Sequence, residues 1–211
     1  MKKINAKLDA ELATAGAFLD AKYMCFHHPD SGFPGEVPSL KFDCDCRKPK
    51  PGMIYQAQRA LNIDLTRSWF IGDSTLDFGA AANAGVTSIG VRTGQGSVDG
   101  LHPFDPDVMV DDFAAAVDFI TQDYPTFFAT LKEYLPALSD ASEIYLRCDD
   151  DHARGYATVI RRHITSAVMQ PATGVETVFH NQCGTGPACT LYIHAGQVTM
   201  AAPSSGQDFN A

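Results

Sequence analysis

Cys25-x-His27, sixteen intervening residues and then Cys44-x-Cys46 place four soft metal ligands in two close pairs near the start of the chain. Such a quartet can surround a single tetrahedral zinc ion. The loop between the pairs is rich in Gly and Pro and has little apolar content from which to build a core. A metal would substitute for that core, contributing on the order of 10 kcal/mol in small zinc peptides. Protein side chains fill all four positions and leave none for water, so the zinc is expected to be structural. His28 is the lesser candidate. Six cysteines in a chain with no signal-peptide core at its start point to a reducing, cytoplasmic setting, where disulfides are rare. Cys183 and Cys189 carry no ligand spacing and are read as incidental thiols.

Directly after the second ligand pair comes Arg47-Lys48-Pro49-Lys50-Pro51-Gly52. Three cations fall within four residues of a chain whose formal net charge is −9. The overall balance excludes nucleic acid or an anionic membrane surface as the main partner, yet this run makes a local anion site. Arg47, anchored by the metal loop, offers a guanidinium fork suited to two phosphate oxygens. Lys48 offers a compact charge for a developing phosphoryl oxyanion.

The rest of the first 121 residues alternates strand and helix patterns. Leu8, Leu12 and Ala15 share one face of an expected helix over residues 5–18. Tyr23 to Phe26 reads as a short strand. A helix opens at Pro51 and buries Met53, Ile54, Ala57 and Leu61. Trp69-Phe70-Ile71 is an apolar strand stopping at Gly72-Asp73. Ser74 and Asp77 have the spacing of a capping box, and Gly85 would end that helix. Strands come next at 86–91 and 108–110, separated by the glycine-rich loop Thr93-Gly94-Gln95-Gly96, and then an Asp-capped helix from about 113 to 121. This order predicts an α/β architecture, a parallel sheet with crossover helices. Asp73, at the carboxyl end of its strand, stands where such sheets bind ligands and could hold Mg²⁺ with substrate phosphate.

Beyond about Leu131 the pattern changes. A strand at 144–146, a helix burying Tyr156, Val159, Ile160 and Ile164, and a hairpin over 190–200 give residues 132–211 the look of an unassigned α+β segment.

Together CFHHP, CDCRKPKPGM, FIGDSTLD and GVRTGQG resemble the haloacid-dehalogenase (HAD) phosphatases, and within them the D-glycero-D-manno-heptose-1,7-bisphosphate phosphatases. The related histidinol-phosphate phosphatases share the zinc loop. The resemblance covers roughly residues 1–121, and a HAD-like domain is expected over residues 1–131. It implies that Cys25, His27, Cys44 and Cys46 bind zinc, that Arg47 and Lys48 contact substrate phosphate, with Lys48 screening a phosphoaspartate, and that Asp73 ligates Mg²⁺. The implied substrate is a phosphorylated sugar. In the family an aspartate attacks phosphorus and a second, two residues later, acts as acid and base.

That Asp-x-Asp has no counterpart before Cys25, where Asp9 and Asp20 stand alone. Asp43-Cys44-Asp45 lies inside the metal loop, and Asp105-Pro106-Asp107 precedes a strand. The first two strands of the family's sheet are therefore expected to be missing, and the chain to be inactive by itself. Either residues 132–211 replace those strands or the chain is a piece of a longer reading frame, the second being the expectation. A non-catalytic, zinc-stabilised module that binds a phosphate or a partner chain is the alternative.

Overall fold

The structure, a computed structural model, describes residues 2–97, 99–148, 153–164, 167–169, 176–181, 185, 187–194 and 197–201. Helix α1 (Lys2–Thr14) lies a turn earlier than the expected 5–18, leaves Ala15 outside and buries none of its residues. Residues 15–51 continue without a strand or α-helix, through a series of turns and one short 3-10 segment, Pro38–Leu40. The strand expected at Tyr23–Phe26 is absent. Apolar residues make a strand only where a neighbour completes the ladder, and this stretch has none.

The α/β part then follows the element order read from the sequence, but the helix after Pro51 does not bury its expected stripe: Met53, Ile54 and Ala57 are only half-buried, bordering an open cavity beside Trp69 and Phe70, and Leu61 is exposed. Helix α2 (Gly52–Leu61) ends on Asn62 in the left-handed region, φ 52°. Strand β1 (Trp69–Gly72), helix α3 (Thr75–Ala84), strand β2 (Thr87–Val91) and strand β3 (Val108–Val110) make a parallel sheet of order β1-β2-β3. Gly85 closes α3 at φ 71°, a conformation that costs glycine nothing, and sends the chain into β2. β2 is buried along its whole length, as a central parallel strand should be. β1 lies at the sheet's edge and is only half-buried.

Helix α4 (Phe113–Asp118) is capped by Asp112, whose carboxylate accepts from Ala115 N at 2.9 Å. It does not stop near residue 121. Five residues of π-helix, Phe119–Asp123, carry it into α5 (Tyr124–Asp140). Pro125 supplies no N–H to the preceding turn, and the backbone widens just before it.

The remaining chain builds strand β4 (Glu143–Cys148), helix α6 (Ala153–His163), and strands β5 (Ala167–Met169), β6 (Glu176–Asn181), β7 (Cys189–His194) and β8 (Gln197–Ala201). Their sheet has the order β5-β6-β4-β7-β8, with β4 and β7 parallel and the other pairs antiparallel. Tyr156, Val159, Ile160 and Ile164 are all buried, as their spacing predicts. Cys189 is buried, whereas Cys183 lies outside the described residues. Among the described residues the second sheet pairs within itself and adds no strand to β1.

A single core joins the two sheets. Ile89 and Val108 belong to the same buried cluster as Phe127, Leu138, Ile144, Leu146, Ile160 and Leu191. The ring of Tyr156 lies 4.3 Å from that of Phe127 and 6.3 Å from that of Phe119. Thr158 donates to Asp107 at 2.9 Å, and Asp107 also accepts from the N–H of Ser88 in β2 at 2.8 Å. Asp107 is therefore a structural anchor between α6 and the first sheet. We predict that Leu191→Ala, far from β1 in sequence, costs about 2–5 kcal/mol. Denaturant unfolding followed through Trp69, the only tryptophan, should register that loss in full. A Trp69 transition unmoved by the substitution would mean that the two sheets unfold independently.

Candidate metal loop and phosphate site

Cys25, His27, Cys44 and Cys46 converge, their ligand atoms all within 4.8 Å of one another. Cys44 Sγ lies 3.1 Å from Cys46 Sγ and 3.6 Å from Cys25 Sγ. Cys46 Sγ is 3.2 Å from Cys25 Sγ, and His27 Nδ1 is 3.3 Å from Cys46 Sγ. A tetrahedron with zinc–sulfur bonds of about 2.3 Å has edges near 3.8 Å, so the quartet needs only a slight expansion to admit the ion. The donor set fits zinc. His28 is turned elsewhere: its Nδ1 accepts from Asp30 N at 3.1 Å.

The thiols respond strongly to one another. For Cys44 burial opposes ionisation, but hydrogen bonds from Cys46, His27 and Cys25 outweigh it and bring the thiol down to about 6. Burial, then the neighbouring Cys44 and Cys25, pushes Cys46 up to about 12. Crowding thus drives the Cys44 and Cys46 thiols in opposite directions, an arrangement that a divalent cation would relieve.

The loop between the ligand pairs has its own polar frame. Glu36 Oε2 accepts from Phe33 N at 3.0 Å and Gly32 N at 2.8 Å, with Lys41 at 3.5 Å. Those backbone donors, Phe33 first, hold its carboxyl below the usual range. Lys50 pairs with Asp43 across the loop base. Gly52 N donates to Asp45 O at 2.9 Å, and a side chain on Gly52 would strike that carbonyl. Asp43 and Asp45 are therefore committed to the loop, as expected.

Arg47 Nη1 donates to the carbonyl of His27 at 3.1 Å, so the metal loop holds this guanidinium by its backbone. The neighbouring Lys48 reaches the next element and pairs with Asp77 Oδ1. Asp77 is 5% exposed, and Ser74 Oγ donates to its other oxygen at 2.6 Å. The capping box expected between Ser74 and Asp77 is thereby corrected. Ser74 is the N-cap residue by position, but its hydroxyl caps no backbone N–H. A buried carboxylate requires a cation, and Lys48 outcompetes the helix end for it.

Asp73, at the carboxyl end of β1, accepts at Oδ2 from Gln95 N at 2.8 Å, and its carbonyl accepts from Ser97 N at 2.7 Å. Gly94, at φ 68°, lies so close that a side chain would collide with that carboxylate. The glycine-rich loop after β2 is therefore a clamp on Asp73. Among the described residues Oδ1 of Asp73 accepts no hydrogen bond. A carboxylate with one oxygen fixed and one open fits a hard cation that takes its remaining ligands from phosphate and water. Asp99 is a further member that spacing did not announce. Its carboxylate accepts from Thr75 Oγ1 at 2.5 Å and Thr75 N at 2.9 Å, tying the start of α3 to the loop after β2. The Thr75 hydroxyl, then the Leu101 N–H, hold its carboxyl low.

The structure thus joins Lys48 to Asp77 and places Asp73 four residues before that pair, at the strand end. Arg47 is linked to the metal loop, not to Asp73. Residues 45–116 match the family model described as HAD-hydrolase-like. This stretch is similar to that family. The HAD-like segment is 46% identical over 89 residues to the D-glycero-beta-D-manno-heptose-1,7-bisphosphate 7-phosphatase of Yersinia pestis, covering 42% of this chain and 45% of that one. The enzyme of the same name from Photorhabdus laumondii is 47% identical over 89 residues, with the same coverage. The chain therefore spans about half the length of the curated relatives it matches. A solved structure, the D,D-heptose 1,7-bisphosphate phosphatase of B. bronchiseptica complexed with magnesium and phosphate, is 34% identical with a TM-score of 0.47. It aligns with 58% of this chain and 63% of that one.

Purified protein should carry one zinc per chain by elemental analysis, and Cys44→Ser should bring it well below half; full retention of zinc by the variant would exclude Cys44 as a ligand. Lys48→Met should destabilise by about 1–3 kcal/mol, the penalty of a buried unpaired carboxylate reduced because Lys48 is partly exposed. The double variant Lys48→Met, Asp77→Leu should regain part of that loss in denaturant unfolding. Additive losses would mean that the two side chains are not coupled.

Proposed function

We propose that the HAD-like segment is the phosphate-recognition part of a Mg²⁺-dependent sugar-phosphate phosphatase acting on D-glycero-D-manno-heptose 1,7-bisphosphate. The observation that carries this reading is the convergence of two sources of charge. Arg47 and Lys48 leave the metal loop as adjacent cations, and Lys48 is held by Asp77 on the helix that begins just after Asp73. A phosphate group seated there meets fixed positive charge on one side and a metal-binding carboxylate on the other. Identity of 46–47% over 89 residues to heptose bisphosphate phosphatases supports a heptose substrate.

In this reading Cys25, His27, Cys44 and Cys46 hold a structural zinc that orients Arg47. Arg47 binds the phosphate through paired oxygens, and Lys48 balances charge on the oxygens of the phosphoryl group in flight. Asp77 is a positioning residue for Lys48, and Gln95 N–H orients Asp73. Asp73 would hold magnesium, which supplies further neutralisation of the equatorial oxygens when bound. Domain organisation is read along the same line: the phosphate site belongs to residues 1–131, while 132–211 complete the shared core.

Among the described residues no Asp-x-Asp succeeds a strand of the HAD-like segment; Asp149, Asp150 and Asp151, which come after β4 in sequence, lie outside the described residues. That favours ligand binding without turnover by this chain alone. Calorimetric titration with heptose 1,7-bisphosphate and Mg²⁺ should give saturable binding with no phosphate released. Arg47→Gln should weaken it at least tenfold, about 1.4 kcal/mol. Unchanged affinity in the variant would remove Arg47 from the site. Phosphate release lost on Asp73→Ala would show that the chain carries a working nucleophile after all.

A further inference from the structure

The sheet has a second opening, at the end opposite Asp73. A cavity of about 630 Å³ lies at the amino ends of β1 and β2, bounded by Ser68 and Trp69, by Thr87, by Tyr124 and Phe128 of α5, and by Arg67. Four residues of β1 separate it from the phosphate site, roughly 13 Å along the strand. Its size falls within the range of about 300–1,000 Å³ usual for small-molecule sites.

The lining combines two kinds of group. Tyr124 and Phe128 are stacked, with centroids 6.0 Å apart and planes 12° from parallel. Trp69 meets Tyr124 edge-on, with centroids 4.8 Å apart. These rings form an aromatic corner against which one more flat ring can pack. Arg67 also lines the cavity and is exposed, its side chain in no ion pair among the described residues. Asp64, the acid of the same turn, is engaged: its Oδ1 accepts from Thr66 Oγ1 at 2.6 Å and Thr66 N at 3.0 Å. The Thr66 hydroxyl and N–H, with a smaller contribution from the Arg67 charge, hold the Asp64 carboxyl low; no side-chain hydrogen bond joins Asp64 to Arg67, so the guanidinium N–H groups can still meet an incoming oxyanion.

We propose that this cavity binds a small planar aromatic anion, with its ring against Tyr124, Phe128 and Trp69 and its negative group on Arg67. Cavity walls come from both β1–β2 and α5, so the ligand would bridge the HAD-like segment and the helix that leads into the second sheet. Its binding is independent of the phosphatase reading.

Trp69 forms part of the wall and is the only tryptophan, so its fluorescence reports occupancy directly. The full chain would be titrated with naphthalene-2-carboxylate and, as a neutral control of the same shape, naphthalene-2-carboxamide. The carboxylate should quench Trp69 saturably and bind at least about tenfold more tightly than the amide, a charge-assisted contribution of ordinary size. Arg67→Gln should abolish that preference while leaving amide affinity unchanged. Trp69 also borders a smaller cavity that includes Lys48, so Lys48→Gln is the necessary comparison and should keep the preference. Absence of saturable quenching, equal affinity for acid and amide, or a preference that depends on Lys48 instead of Arg67 would each overturn the proposal.

Discussion

Three thiols and an imidazole crowded into one tetrahedral volume are the constraint on which the first part of this protein depends. Residues 15–51 contribute no strand, no α-helix and no buried hydrophobic residue. Hydrophobic burial cannot fix such a stretch. The ligand cluster can, because it closes the chain from Cys25 to Cys46 and sets the exit direction of Arg47. The next two side chains are then fixed in space: Arg47 back to the His27 carbonyl, Lys48 forward to Asp77.

The second constraint is the end of β1. A parallel strand delivers its last residue to the sheet's carboxyl edge, and the loop after β2 arrives at the same edge. Asp73 is consequently gripped by Gln95 N and Ser97 N, and α3 is tied to that loop by Asp99. Ion pair, clamp and tie all act within one loop cluster, while the shared core behind it, running from Ile89 to Leu191, supplies the rigidity. Burial of Asp77 makes its pairing with Lys48 obligatory instead of ornamental. An exposed pair would contribute little, whereas a buried carboxylate without its cation is strongly unfavourable.

Legibility in the sequence tracked how local the physics was. Cys25, His27, Cys44 and Cys46 could be read because ligand type and pair spacing are local. β2 and β3 could be read because each is a short apolar run, the first opening just after Gly85. Tyr23–Phe26 misled because its apolar character needed a partner strand, and only topology reveals that none is there. The i, i+3 spacing of Ser74 and Asp77 fits both a capping box and a side-chain pair; Lys48, 29 residues earlier, decides between them. Asp99 lies 24 residues from Thr75 and leaves no local signature. β5 and β6 escaped because short, mixed segments such as Glu176–Asn181 take their conformation from the neighbouring β4.

In the proposed phosphate site, Arg47 and Lys48 would carry the influence of the metal loop to the ligand. The most direct measurement of that control is affinity for a phosphate ester before and after zinc is stripped by a chelator, at constant Mg²⁺, with zinc then restored. Affinity should fall by at least about tenfold on removal and return on restoration. An unchanged affinity in zinc-free protein that remains folded would contradict any such role for the metal loop.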